Sequence, residues 1–297
     1  MCDDFTAEQD DAALAKRGLN RRQFAATGTA VAASLVAACA DAKMAGAKMA
    51  DKGGLSEETV RIVTPDGTAD AFFVRPPRGR FPAVIMWPDI AGLRDAYKEM
   101  GRRLARAGYA VLVVNHYYRS SPAPILKSIA EWRTPEGQAK LKPMIAAITP
   151  AGTVSDAKAF VAWLGKQRSV HPQRGIGTCG YCMGGPYTVR TAFAAPDRVR
   201  AAASFHGAGL VGDTPDSPSK LLAATKASFL FAIARNDDAR APGDKDALKA
   251  AAKAAGRPAE VEVYNADHGW CTLDAPVYDK AEADRAWARM LALFKTL

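Results

Sequence analysis

The chain is poor in several things, and each shortage closes off a class of function. It holds no apolar run of membrane-spanning length: the stretch from Ala25 to Ala38 is built mainly of small residues and falls short of the ~20 apolar residues a bilayer helix needs. It holds no long Lys/Arg cluster interleaved with aromatics, so a net charge of +9 does not read as a nucleic-acid partner. No pair of histidines and no Cys/His pair has metal-ligand spacing, apart from a single Cys-x-x-Cys at Cys179-Gly180-Tyr181-Cys182. Neither a metal nor a cofactor is therefore expected. Histidine itself is scarce, four in 297 residues, which shortens the search for a general base. What remains is an ordinary globular composition, 48% hydrophobic and 24% charged, long enough for one full-sized core.

The first forty residues read as an export signal. A polar stretch through Lys16 and Arg17 leads to Asn20-Arg21-Arg22-Gln23-Phe24, then to the short apolar run and a small-residue exit. This is the three-part pattern of a cleavable signal, and the paired arginines point to the twin-arginine route. The expected partner is then the twin-arginine export machinery, and the expected location is the periplasm or the medium. The exit has two readings. Ala38-Cys39-Ala40 fits a small-x-small cleavage site, whereas Leu35 to Cys39 resembles a lipobox in which Cys39 would carry a lipid anchor. Residues 41–55, with Ala42-Lys43-Met44-Ala45 echoed by Ala47-Lys48-Met49-Ala50, lack a core pattern and read as a linker.

From residue 56 to 297 short β-branched runs alternate with helical patterns. Val60 to Val63 and Ala71 to Val74 flank Pro65-Asp66-Gly67 and predict an opening hairpin. Further strands are expected at 83–87, 110–114, 175–178, 201–205, 228–233 and 261–264, several apolar throughout, as buried parallel strands require. Helical spacing predicts helices over 93–107, 153–167, 183–195, 243–255 and 278–294. The fold class is α/β, a mostly parallel sheet covered by helices on both faces. The proline-rich stretch 120–150 breaks the alternation and reads as a cap beside the site.

Chemistry concentrates at Gly180-Tyr181-Cys182-Met183-Gly184-Gly185, directly after a strand and before a helix. This is a nucleophile elbow, in which glycines permit the tight turn that presents the central side chain, here the thiol of Cys182. A helix N-terminus behind the sulfur favours thiolate, and the Met183 backbone N–H is placed for an oxyanion hole. In such folds the acid and then the base follow the nucleophile in chain order. His268, after the last expected strand, is the base; Asp237, after the preceding strand, is the acid, with Asp238 as the alternative. His116 and His206 also end strands, and His171 beside Pro172 reads as loop; structural roles are favoured for all three.

The segments Met86 to Gly92, Tyr117-Tyr118-Arg119, the cysteine elbow with its double glycine, Asn236-Asp237-Asp238 and His268-Gly269-Trp270 together resemble the dienelactone hydrolase family of α/β-hydrolases. The resemblance runs from about Val60 to Phe294. It implies attack by Cys182 on the carbonyl of a small ester or lactone, proton transfer by His268, orientation by Asp237, and oxyanion binding by the N–H groups of Ile90 and Met183. It further implies that Asp89 pairs with the resting thiol and that Arg119 binds a substrate carboxylate. Thr272 replaces a second carboxylate-binding arginine of the family, so the resemblance speaks for ester or lactone hydrolysis more than for dienelactone itself. The competing reading is a thiol-disulfide oxidoreductase using Cys179 and Cys182. It leaves Asp237 and His268 without a role, and the motif lies deep in a long α/β pattern.

Overall fold

The computed structural model describes residues 4–16, 18 and 54–297. The twin arginine, the apolar run, Cys39 and almost all of the expected linker lie outside the described residues. An N-terminal helix α1 (Asp4–Lys16) precedes the hairpin β1 (Ser56–Thr64) and β2 (Gly67–Arg75). Then follow β3 (Ala83–Trp87), α2 (Asp95–Arg106), β4 (Ala110–Val114), α3 (Pro135–Ala146), α4 (Pro150–Gly165) and β5 (Ile176–Tyr181). The remaining elements are α5 (Gly185–Ala194), β6 (Val199–Phe205), the single turn α6 (Pro218–Leu221), β7 (Ser228–Ala234), α7 (Arg235–Arg240), α8 (Asp244–Ala254), β8 (Ala259–Tyr264) and α9 (Lys280–Phe294).

The eight strands form one sheet in the order β1-β2-β4-β3-β5-β6-β7-β8. β1 and β2 pair antiparallel, β2 meets β4 antiparallel, and all pairings from β4 to β8 are parallel. This is the α/β-hydrolase sheet, and the pleat explains its two cores. β3 sends Ala83, Ile85 and Trp87 to one face and Val84 and Met86 to the other. On the first face these meet Phe160 and Leu164 of α4, Val189 and Ala192 of α5, and Leu248 of α8. On the second they meet Tyr97 and Leu104 of α2 and Met290 and Phe294 of α9. Strands covered on both sides favour apolar residues throughout, and β3, β4 and β5 are buried at every position, with Thr178 of β5 a buried polar exception.

The proline-rich segment is more ordered than its composition suggests. It holds a 3-10 turn (Ile129–Arg133) and the whole of α3; two of its prolines start helices, and a third, Pro143, lies inside α3 near its C-terminal end. Pro135 and Pro150 occupy first-turn positions, where a missing N–H is harmless, behind Thr134 and Thr149 caps that accept from the Gly137 and Gly152 N–H groups, each at 3.0 Å. Ile125, Leu126, Ile129, Trp132 and Leu141 bury against Ile90, Ala91 and Tyr117 in a third, smaller core at the C-terminal edge of the sheet.

Candidate active site

Every candidate group stands just past the C-terminal end of a parallel strand: Ile90 after β3, His116 after β4, Cys182 after β5, His206 after β6, Asp237 after β7 and His268 after β8. Open α/β sheets place their ligand crevices at this edge. At the elbow Cys182 holds φ = 52°, a left-handed conformation uncommon for a side chain-bearing residue. The turn closes only because its flanks lack side chains. A Cβ at Gly180 would lie 2.1 Å from the Gly184 carbonyl oxygen, and one at Gly184 would lie 2.4 Å from that of Trp87. Cys182 is 2% exposed and forms no disulfide with the described cysteines.

The acid–base pair is formed. Asp237 Oδ2 lies 2.7 Å from His268 Nδ1, while Asp237 Oδ1 accepts from Arg240 at 3.0 Å. Asn236, buried in front of them, fixes both backbones: its Oδ1 accepts the Asp237 N–H at 3.0 Å and the His268 N–H at 2.9 Å. Asp238 points its carboxylate to Lys245, at 2.8 and 2.9 Å, so of the two aspartates only Asp237 meets the histidine. Behind His268 stands His206, with ring centroids 4.7 Å apart and edge-on. His206 is fully buried, takes φ = 39°, and makes no hydrogen bond through either ring nitrogen. Burial, then the neighbouring His268, hold its pKa well below the usual histidine range. His116 is likewise pushed down to about 3 by burial, with Arg94 adding to the shift. Both rings are neutral at physiological pH.

The loop after β3 is clamped from below. Tyr117 donates its hydroxyl to the Ile90 carbonyl at 2.8 Å, and the same hydroxyl lies 3.4 Å from the Met183 sulfur, so one side chain spans the two residues whose N–H groups are the oxyanion candidates. Asp89 does not engage the cysteine. Its carboxylate takes the fully buried guanidinium of Arg94 at 2.7 and 2.9 Å and the Ala91 N–H at 2.9 Å. Arg94 gives one further donor to the Gly92 carbonyl at 3.1 Å and two to Asp274, both at 2.7 Å, and Asp274 also accepts the Ile129 N–H at 3.1 Å. Burial alone would lower the Arg94 pKa, but the two carboxylates hold it well above its ordinary value. One cation thus ties the loop of Ile90, the loop after His268 and the cap. The motif reading missed Arg94; its only sequence signal was a charge amid apolar residues at the start of a helix.

Arg119 is also committed elsewhere. It pairs with Asp156 on α4 at 2.8 and 2.9 Å and with Asp66 in the β1–β2 turn at 2.6 Å, stacked 4.6 Å over Tyr118. The structure does not leave this guanidinium for a ligand. Thr272 is buried with its hydroxyl 3.4 Å from that of Tyr97. Arg133, from the cap, pairs with Asp10 of α1, and Asp10 in turn lies within electrostatic reach of His268.

Cys179 belongs to the second core, not to the crevice, and no disulfide joins it to Cys182 or Cys271. Burial pushes the thiols of Cys179 and Cys271 far up, leaving them poor thiolates. A Cys179 buried in this way is ill suited to resolve a disulfide on Cys182, which removes support from the oxidoreductase reading.

A sequence profile of the dienelactone hydrolase family matches residues 69–297. The chain belongs to the dienelactone hydrolase family. A Methylorubrum extorquens protein provisionally named a carboxymethylenebutenolidase is 29% identical over 251 residues, spanning 82% of this chain and 82% of its own. A Bradyrhizobium relative, provisionally named a 2-oxo-3-(5-oxofuran-2-ylidene)propanoate lactonase, is 27% identical over 65% of this chain and 71% of its own. Among solved structures, a provisionally named dienelactone hydrolase of Klebsiella pneumoniae superposes with a TM-score of 0.71 at 24% identity, covering 82% of this chain and all of that one. A dienelactone hydrolase-like promiscuous phosphotriesterase from metagenomic libraries gives 0.66 at 21% identity, covering 82% and 98%. Likeness at that identity is likeness of fold. Family membership and these relatives make this dienelactone hydrolase family member an enzyme acting on carboxylic esters or lactones.

Proposed function

We propose that this enzyme hydrolyses small esters or lactones through a thioester on Cys182. The observation that carries the reading is the 2.7 Å contact of Asp237 with His268 Nδ1 on the strand edge that also presents the strained Cys182 elbow. With Nδ1 held by Asp237, His268 exchanges protons through Nε2. It takes the thiol proton as Sγ adds to the substrate carbonyl, and the N–H groups of Ile90 and Met183 receive the oxyanion. Collapse of the tetrahedral adduct breaks the C–O bond, and the departing alkoxide takes the proton from His268. Water then attacks the thioester while His268 accepts its proton. The acid leaves, and that proton returns to the sulfur. A lactone follows the same course, with both products joined in one hydroxy acid.

The test is turnover of p-nitrophenyl acetate and a panel of small lactones. Cys182→Ala and His268→Ala are expected to lose activity by at least about 10³-fold while keeping the fold. Wild-type rates in either variant would overturn the mechanism. The reading includes action outside the cytoplasm after twin-arginine export. Replacing Arg21 and Arg22 by lysine should hold the precursor in the cytoplasm, as read by fractionation, and normal export of that variant would reject the route.

A further inference from the structure

The described part of the N-terminal segment does not stand apart from the site. α1 lies on the domain by one face: Asp10 is 6% and Leu14 3% exposed, Gln9 and Ala13 are half-buried, and Asp11, Ala12, Ala15 and Lys16 face outwards. This spacing of four is that of a helix seated along a single stripe. The stripe meets the active-site rim at named points. Gln9 accepts a hydrogen bond from the Asn236 side chain, whose own oxygen anchors Asp237 and His268. Asp10 forms an ion pair with Arg133 of the cap and lies within electrostatic reach of His268. Burial raises the pKa of Asp10 to about 6 against the pull of Arg133 and His268, as befits a carboxylate taken out of water. With α1 seated, His268 is 6% and Cys182 2% exposed.

We propose that Arg133, Asn236 and the surrounding rim form a docking seat for an acidic helix, that the chain's own α1 fills it, and that α1 and substrate therefore compete for the crevice. Hydrophobic burial of Leu14 and the Asp10–Arg133 pair hold the helix in place; a helix of 13 residues would be marginal without such tertiary support. The precursor, which still carries residues 1–16 ahead of the expected cleavage site, is in this view largely closed, and removal of the signal on export takes α1 away and frees the crevice. The inference rests on the reading that Cys182 is the reactive group, so its test uses a readout that does not need ester chemistry.

The test is the rate of Cys182 alkylation by iodoacetamide in the full chain, read by mass spectrometry of the Cys182 peptide, with Cys179 and Cys271 as buried references. Leu14→Asp and Asp10→Arg should each accelerate alkylation, and together by about tenfold or more, with a fall in KM for p-nitrophenyl acetate and little change in kcat. Arg133→Asp should also open the site. Combining Arg133→Asp with Asp10→Arg should restore the opposite-charge pair and slow alkylation again, an outcome that misfolding would not produce. Alkylation rates within about twofold across all variants would overturn the docking. If alkylation accelerates while no variant turns over an ester, the seat stands and the hydrolase reading falls.

Discussion

Asp237 and Asp238 are adjacent in sequence and chemically identical, yet the structure gives them unlike partners. Asp237 holds the histidine and Asp238 a lysine, because α7 begins immediately after β7 and turns successive side chains about 100° apart. Asp237→Asn should preserve the backbone but offer His268 the wrong partner, lowering kcat by roughly 10³ to 10⁴. Asp238→Asn removes only a partly exposed ion pair, worth at most about 1 kcal/mol, and should leave kcat unchanged. Steady-state kinetics on the two variants separate them. Chain order and a strand end narrowed the acid to Asp237, with Asp238 as the alternative; it is the structure that puts only Asp237 against the histidine. The fates of Asp89 and Arg119 were not legible, because a motif position says where a backbone stands but not which neighbour claims its charge. Asp89 was claimed by Arg94, five residues on, and Arg119 by Asp66 and Asp156, from elements that the sequence does not show to be adjacent.

At the scale of elements, period and punctuation carried most of the reading. Strands were recognisable at β3 and β4 because a strand buried on both faces favours apolar residues throughout, and the opening hairpin because Pro65-Asp66-Gly67 marks a turn. α3 was missed: Pro135 and Pro150 look like breakers until Thr134 and Thr149 are seen as caps that make them helix starts. α1 was hidden too, read only as a polar lead-in, because its buried stripe is short and its seat is built from residues more than a hundred positions away. The elements are joined at the crevice by Arg94. Replacing it with leucine would leave Asp89 and Asp274 buried and facing each other, and should lower stability by about 3–5 kcal/mol in urea denaturation. Changing all three, Asp89→Asn, Arg94→Leu and Asp274→Asn, should recover a large part of that loss, since no uncompensated charge then remains.

Across the whole molecule, two neutral imidazoles set the response to acid. His116 and His206 have native pKa values below the ordinary 6.5, so below that pH the unfolded chain binds more protons than the native one. Their contribution is complete above about pH 6.5 and fades as pH falls towards the native values, each with a slope approaching 1.4 kcal/mol per pH unit. Urea midpoints should therefore drop steeply between about pH 6.5 and pH 4, and less steeply in His116→Phe. An equal slope in that variant would mean that other groups dominate.

The Arg94 clamp also bears on how this fold can diversify. A guanidinium shared by two carboxylates cannot be traded one position at a time, because each intermediate strands a charge in the interior. Positions 89, 94 and 274 should behave as one heritable unit, kept or replaced together as sequences diverge. Substrate preference is then free to drift through the cap and the outer rim, while the loop that carries Ile90 stays frozen in place.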